Sequence, residues 1–119
     1  MTEHTNKQFS AELENVRSSF LQMGGLVEAM IGEAMNVLVN KEVNQADTVH
    51  DREKEVNRLE VEIDERIGVL IARNQPTAVD LRLLLSVSKM LTDMERCGDE
   101  ADKIAKMARR IHEAGGQYI

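Results

Sequence analysis

Apolar residues recur along this chain at alternating steps of four and three through three long stretches, with brief lapses between them. The first stretch runs Phe9, Leu13, Val16, Phe20, Met23, Val27, Met30, Ala34 and Val37. The second runs Val49, Arg52, Val56, Leu59, Ile63, Arg66 and Leu70, the two arginine stems being expected to lie along the seam. The third runs Leu83, Val87, Met90, Met94, Cys97, Ala101, Ile104, Ala108 and Ile111. Such steps keep one side chain per turn on a single helix face, and sustained over several heptads they make a bundle seam. The fold class expected is all-α: an antiparallel up-down-up three-helix bundle with long heptad helices, crossing at about +20°.

The lapses carry start and stop signals. Asn44, with Asp47 three residues on, reads as a helix start. In Gln75-Pro76-Thr77, the proline disfavours helix at the residue before it, and Thr77 with Asp80 is a further N-cap pattern. Gly115-Gly116 is expected to end the third helix. The chain thus divides into helices over about 5–40, 45–73 and 78–114 within one domain, 1–119, each roughly 30 residues and about 45 Å long. Gly24-Gly25 costs helix 1 about 1 kcal/mol per glycine relative to alanine, which implies a close helix contact or a local bend.

Composition narrows the function classes. Aromatics make up 3% of the 119 residues, with one proline and no tryptophan, which argues against a β-sandwich and against base-stacking platforms. A formal charge of −6 opposes a phosphate-backbone interface, so no nucleic acid is expected. The single cysteine, Cys97, cannot form an internal disulfide. No secretory signal and no window of about 18 apolar residues stand in the sequence, so membrane insertion is not expected and a cytoplasmic location is.

Within the third stretch, "MERCGDEAD" stacks Glu95, Asp99 and Asp102 on one helix face. By helical angle these acids lie more than about 120° from the seam and are expected on the outside or flank of the bundle. That arrangement excludes a ferritin-like plan, which projects carboxylates inward with Glu-x-x-His motifs. Helix 2 carries a second column, Glu53, Asn57, Glu60 and Asp64. Antiparallel pairing about the turn sets Glu53 and Asn57 near the height of Glu95 and Asp99, with Glu60 and Asp64 opposite Leu91 and Ser88. Clustered oxygen donors suit a hard or borderline cation (Mg, Mn or Fe), and Gly98 would leave room for it; the same columns also read as a solvated acidic face.

Other residues read more plainly. Cys97 falls on the seam and is expected as a small buried hydrophobe. His50 lies one turn before Glu53 and reads as a surface histidine that could complete a metal site; His4 and His112 are terminal and expected to be inert. The methionines are expected in the core. Leu81, Leu84, Leu85 and Leu91 share a face with the acids, as a second contact stripe or, where exposed, a dimer surface.

The segments Gln75-Pro76-Thr77-Ala78-x-Asp80-Leu81-Arg82 and Glu95-Arg96-x-Gly98-Asp99-x-x-Asp102 resemble those of the PhoU family of bacterial phosphate-uptake regulators. Lys54-x-Val56-Asn57-x-x-Glu60-x-x-Ile63-Asp64, Phe9-x-x-Glu12-Leu13 and Met23-Gly24-Gly25-x-Val27-Glu28 extend the likeness over nearly the whole chain. Family members usually carry two tandem three-helix repeats, and this chain has one. The resemblance implies surface metal clusters held by paired Glu/Asp-x-x-x-Asp motifs. Glu95-x-x-x-Asp99 matches fully, whereas Glu53-x-x-x-Asn57 carries an amide in place of Asp. Site residues expected are therefore Glu95, Asp99, Asp102, Glu53, Asn57 and Glu60.

The resemblance further implies a non-enzymatic regulator of phosphate uptake and phosphate-starvation signalling, an adaptor between a phosphate transporter ATPase and a sensor histidine kinase. A single-repeat chain is expected to form a homodimer. The alternatives are a metal-dependent enzyme using the carboxylate cluster and a purely structural bundle. Against the enzyme stand the lack of a nucleophile–base pair and of a phosphate-cradling glycine loop in the sequence.

Overall fold

The computed structural model describes residues 2–115, with side chains from residue 7 onward, so the His4 side chain and Gly116 lie outside the described residues. Three helices account for nearly all of it: α1 (Thr2–Asn40), α2 (Gln45–Asn74) and α3 (Ala78–Glu113). Each packs on both others in a rod measuring 66 × 19 × 16 Å. At 39 residues α1 begins three residues before the expected 5–40, and α3, at 36 residues, ends one residue before the expected 114.

Both connections are tight. At the second, Gln75 takes a left-handed conformation (φ 43°) and its N–H closes on the Ile71 carbonyl, while Asn74 Nδ2 donates to the Leu70 carbonyl. Thr77 then caps α3 as its sequence indicates, its hydroxyl oxygen accepting from the Asp80 N–H at 3.4 Å. The first connection departs from expectation. Asn44 has helical backbone angles and makes no side-chain cap, and Asp47 instead forms an ion pair with Arg109 across to α3 at 2.7 Å. The turn is made by Lys41 in a left-handed conformation (φ 60°), with the Glu42 N–H returning to the Asn36 carbonyl. A left-handed conformation strains any residue with a Cβ, so Gln75→Gly should raise unfolding free energy by about 0.5–1 kcal/mol, read by urea denaturation.

The α1 seam is the one its spacing describes, with Val16, Met23, Val27, Met30, Ala34 and Val37 buried and Phe9, Leu13 and Phe20 packed at its edge. In α3 the seam sits one residue further round. Leu84, Leu91, Gly98 and Ala105 are buried, whereas Leu83, Met90, Cys97 and Ile104 are exposed. The buried-cysteine expectation is thus wrong, and Leu84 and Leu91 are core residues, as in the contact-stripe reading and not the dimer-surface one. Leu81 is half-buried and Leu85 exposed.

Helix α2 shows the same shift. Glu53 and Ile67 are buried in place of Arg52 and Arg66. Arg52 instead forks onto Glu33 of α1 (2.8–3.1 Å), and Arg66 pairs with Glu62 on the surface at 3.0 Å. Gly24 packs on Met94, with 3.5 Å between the Met94 methyl carbon and the place a Cβ would take, while Gly25 faces open space. His112 is half-buried and donates from Nε2 to the Leu38 carbonyl at 3.2 Å, so it is part of the packing rather than a loose terminus.

Candidate metal centre

The rotation of the α3 seam decides where the acids go. With the core line running through Leu91, Gly98 and Ala105, the acid column moves about 50° closer to the interior than the other heptad would place it. Glu95 and Asp99 are half-buried on the α2–α3 flank, and Asp102 is nearly fully buried. From α2, Glu53 reaches across the same flank and is buried to 6% exposure. The expectation that all three α3 acids face outward therefore fails at Asp102.

Register follows the turn-symmetric pairing. Ser88 donates to Asp64 Oδ1 at 3.0 Å, and His50 Nδ1 stands 3.4 Å from Asp102 Oδ2, so α2 and α3 keep one antiparallel alignment along the whole flank. Between those points Glu53 passes directly over Gly98. A Cβ on Gly98 would sit 3.0 Å from Glu53 Oε2, closer than side chains tolerate without moving. The Glu53 carboxylate thus lies in the space that a side chain at position 98 would enter, with Met30 and Val27 of α1 just beyond it.

Electrostatics tie the group together. Burial first, then the charges of Glu95, Asp99 and Asp102, push the Glu53 carboxyl up to about 7, against a small opposing pull from Lys106. Glu60 is also raised, by burial and then by Glu95 and Asp64, which places it next to the cluster. Asn57 lies exposed on α2. The cations are local: Lys106 Nζ lies 3.0 Å from Asp102 Oδ2, and Lys103 Nζ lies 3.1 Å from Asp99 Oδ2. Spacing pointed to neither lysine as a site element, although both stand four residues from their acids, the usual reach of a helical ion pair.

Two buried carboxylate oxygens have no hydrogen-bond partner among the described residues: Glu53 Oε2 and Asp102 Oδ1. An orphaned acceptor in the interior costs about 1–3 kcal/mol, and more for a charged group. A hard cation would satisfy both oxygens and relieve the repulsion that raises Glu53. By donor type alone, Glu53, Glu95, Asp99 and Asp102 are oxygen donors of the kind that Mg, Mn or Fe takes. As the side chains stand, no three His, Cys, Asp or Glu groups among the described residues converge as ligands, and Lys103 and Lys106 hold the oxygens that would have to swing inward.

Known proteins bear out the likeness read from the motifs. The model of the PhoU domain matches residues 20–108. A phosphate-specific transport system accessory protein PhoU homolog from Pseudomonas aeruginosa is 45% identical over 115 residues, covering 97% of this chain and 48% of that relative. The phosphate-specific transport system accessory protein PhoU of Escherichia coli is 43% identical over 108 residues, covering 91% of this chain and 45% of its own length. A crystal structure of PhoU from Pseudomonas aeruginosa superposes with a TM-score of 0.87 at 46% identity, over 90% of this chain and 51% of that one. The chain spans about half the length of the relatives it matches. Matched over most of its length in sequence and in backbone, the chain belongs to the PhoU family.

Proposed function

We propose that this chain is a non-enzymatic, cytoplasmic regulator of phosphate uptake and of the phosphate-starvation response, linking a phosphate transporter ATPase to a sensor histidine kinase. The observation that carries this reading is the 45% identity, over 97% of the chain, to an accessory protein of the phosphate-specific transport system. No helix among the described residues is long and apolar enough to cross a membrane, which accords with a protein that docks on a transporter rather than forming part of its pore. The shape also suits an adaptor: a long rod offers separate flanks to separate partners.

The acid flank is the regulatory element in this reading. Glu53, Glu95, Asp99 and Asp102 would hold the cation, with Glu60 beside them, and the ion would supply positive charge that pins α2 to α3. Asn57 would contribute at most a neutral oxygen donor.

Binding and metal content are to be measured on the same samples, with the purified chain as bait and the transporter ATPase and sensor kinase as separate prey. The wild type should capture both partners and carry Mn, Fe or Mg in stoichiometric amount. Glu95→Ala and Asp99→Ala should lose the metal by elemental analysis. Capture of neither partner sinks the adaptor reading, whereas capture without metal in any sample sinks the metal site alone.

A further inference from the structure

One cation stands in line with the acids. At about 100° per residue, Glu95, Asp99 and Asp102 of α3 fall within an arc of about 60°, and Lys106 falls inside the same arc. Lys103 lies about 40° beyond its edge. The side chains follow that difference. Lys106 is half-buried, with Nζ 3.0 Å from Oδ2 of the buried Asp102. Lys103 is exposed and shared between Asp99 at 3.1 Å and Glu100 at 3.6 Å. Lys106 is also the cation whose charge acts on Glu53, pulling its carboxyl down against the three acids.

We infer that Lys106 is the flank's own counter-ion, a tethered ammonium that competes with a divalent cation for Asp102 and so sets how tightly the flank binds one. The inference rests on the cation-binding reading of the acid flank given above. Three observations carry it. First, Asp102 is nearly fully buried, and a buried carboxylate needs a counter-charge close by. Lys106 supplies it, with His50 Nδ1 standing 3.4 Å from the same Oδ2.

Second, the ammonium serves one oxygen only. Asp102 Oδ1 and Glu53 Oε2 are buried acceptors with no hydrogen-bond partner among the described residues. A lysine on Oδ2 leaves both unsatisfied, whereas a divalent ion has the charge and the coordination number to serve several carboxylates together.

Third, the competitor can leave. Two cations at one carboxylate repel, and the Lys106 side chain is 45% exposed, so its ammonium reaches water by rotation about the bonds of its own stem. Coupling of this kind is reciprocal: an ammonium that opposes the ion on Asp102 is in turn displaced by it.

The chain, stripped of metal, is to be titrated with Mn²⁺ by calorimetry and melted both in chelator and in excess Mn²⁺. Lys106→Met and Lys106→Gln should bind Mn²⁺ at least about ten-fold more tightly than wild type. Both should melt below wild type in chelator, where Asp102 has lost its counter-charge, and recover in Mn²⁺. Lys106→Arg keeps the charge and should bind as wild type does. Lys103→Met should change the affinity by less than about three-fold, because its ion pair is exposed. Two neutral variants keep the comparison decisive if one of them does not fold. Wild-type affinity in the neutral variants overturns the inference and leaves the cation site standing. An equal gain in Lys103→Met also overturns it, because net charge alone would then account for the effect. Failure of every protein to bind Mn²⁺ overturns the inference together with the site it regulates.

Discussion

Replacing Glu53 with glutamine should stabilise the metal-free protein at pH 8 by about 2–3 kcal/mol, a rise of roughly 10 °C in the thermal midpoint, and should do almost nothing at pH 4.5. The native Glu53 carboxyl is raised from 4.5 to about 7, so between those values the native state holds a proton that the unfolded chain has released. Unfolding therefore releases a proton, and native stability must fall as pH rises through that window. The contribution is fully present below about pH 4.5 and lost above about pH 7. Its upper bound is set by the rise of the Glu53 carboxyl from 4.5 to about 7, at about 1.4 kcal/mol per tenfold change in proton affinity.

Glutamine keeps the shape and cannot ionise, so its stability relative to wild type should climb with pH across the window and then level. Thermal melts of both proteins in chelator, from pH 4.5 to pH 8.5, give the difference directly. The contributions of other titrating groups largely cancel in that difference. A difference that is constant across pH would mean that Glu53 is not the group the cluster perturbs.

That Glu53 lies under the flank at all could not have been read from periodicity, and the reason is specific. In α3 two heptads share Val87, Met94, Ala101 and Ala108 and differ only in their alternate positions: Leu83, Met90, Cys97 and Ile104, or Leu84, Leu91, Gly98 and Ala105. Hydrophobicity favours the first set. Close packing of three helices favours the second, because Gly98 and Ala105 let α1 and α2 approach where large side chains would hold them apart. The α2 seam was ambiguous in the same way between Arg52 and Glu53, since Val49, Val56, Ile63 and Leu70 belong to both lines.

Features that depend on a single helix or on one turn were legible. The α1 seam, the Thr77 cap and the Ser88–Asp64 register all follow from spacing and turn length. Features that depend on which of two stripes wins a three-way packing were not. The heptad that lost the core is the apolar stripe left on the surface, so one ambiguity accounts both for the buried acids and for that stripe.

Gly98 joins these consequences, and substitutions there should separate them. The nearest atoms to an added Cβ are Glu53 Oε2 at 3.0 Å, Met30 Sδ at 3.5 Å and Val27 Cγ2 at 3.6 Å. Alanine gains about 1 kcal/mol of helix propensity and collides only with the end of a flexible side chain, so Gly98→Ala should change stability by no more than about 1 kcal/mol. It should also push the Glu53 carboxylate towards water and flatten the pH slope described above.

Leucine has no such escape. Its further three carbons would have to enter between Met30 and Val27 of α1 and Glu53 of α2, and Gly98→Leu should cost about 2–3 kcal/mol. Trimming the obstacle should recover part of that loss. In a Glu53→Ala background the same leucine is expected to cost at least about 1 kcal/mol less, measured as the coupling in a double-mutant cycle by urea denaturation. Strict additivity would show that α1, and not the buried carboxylate, is what requires glycine at position 98.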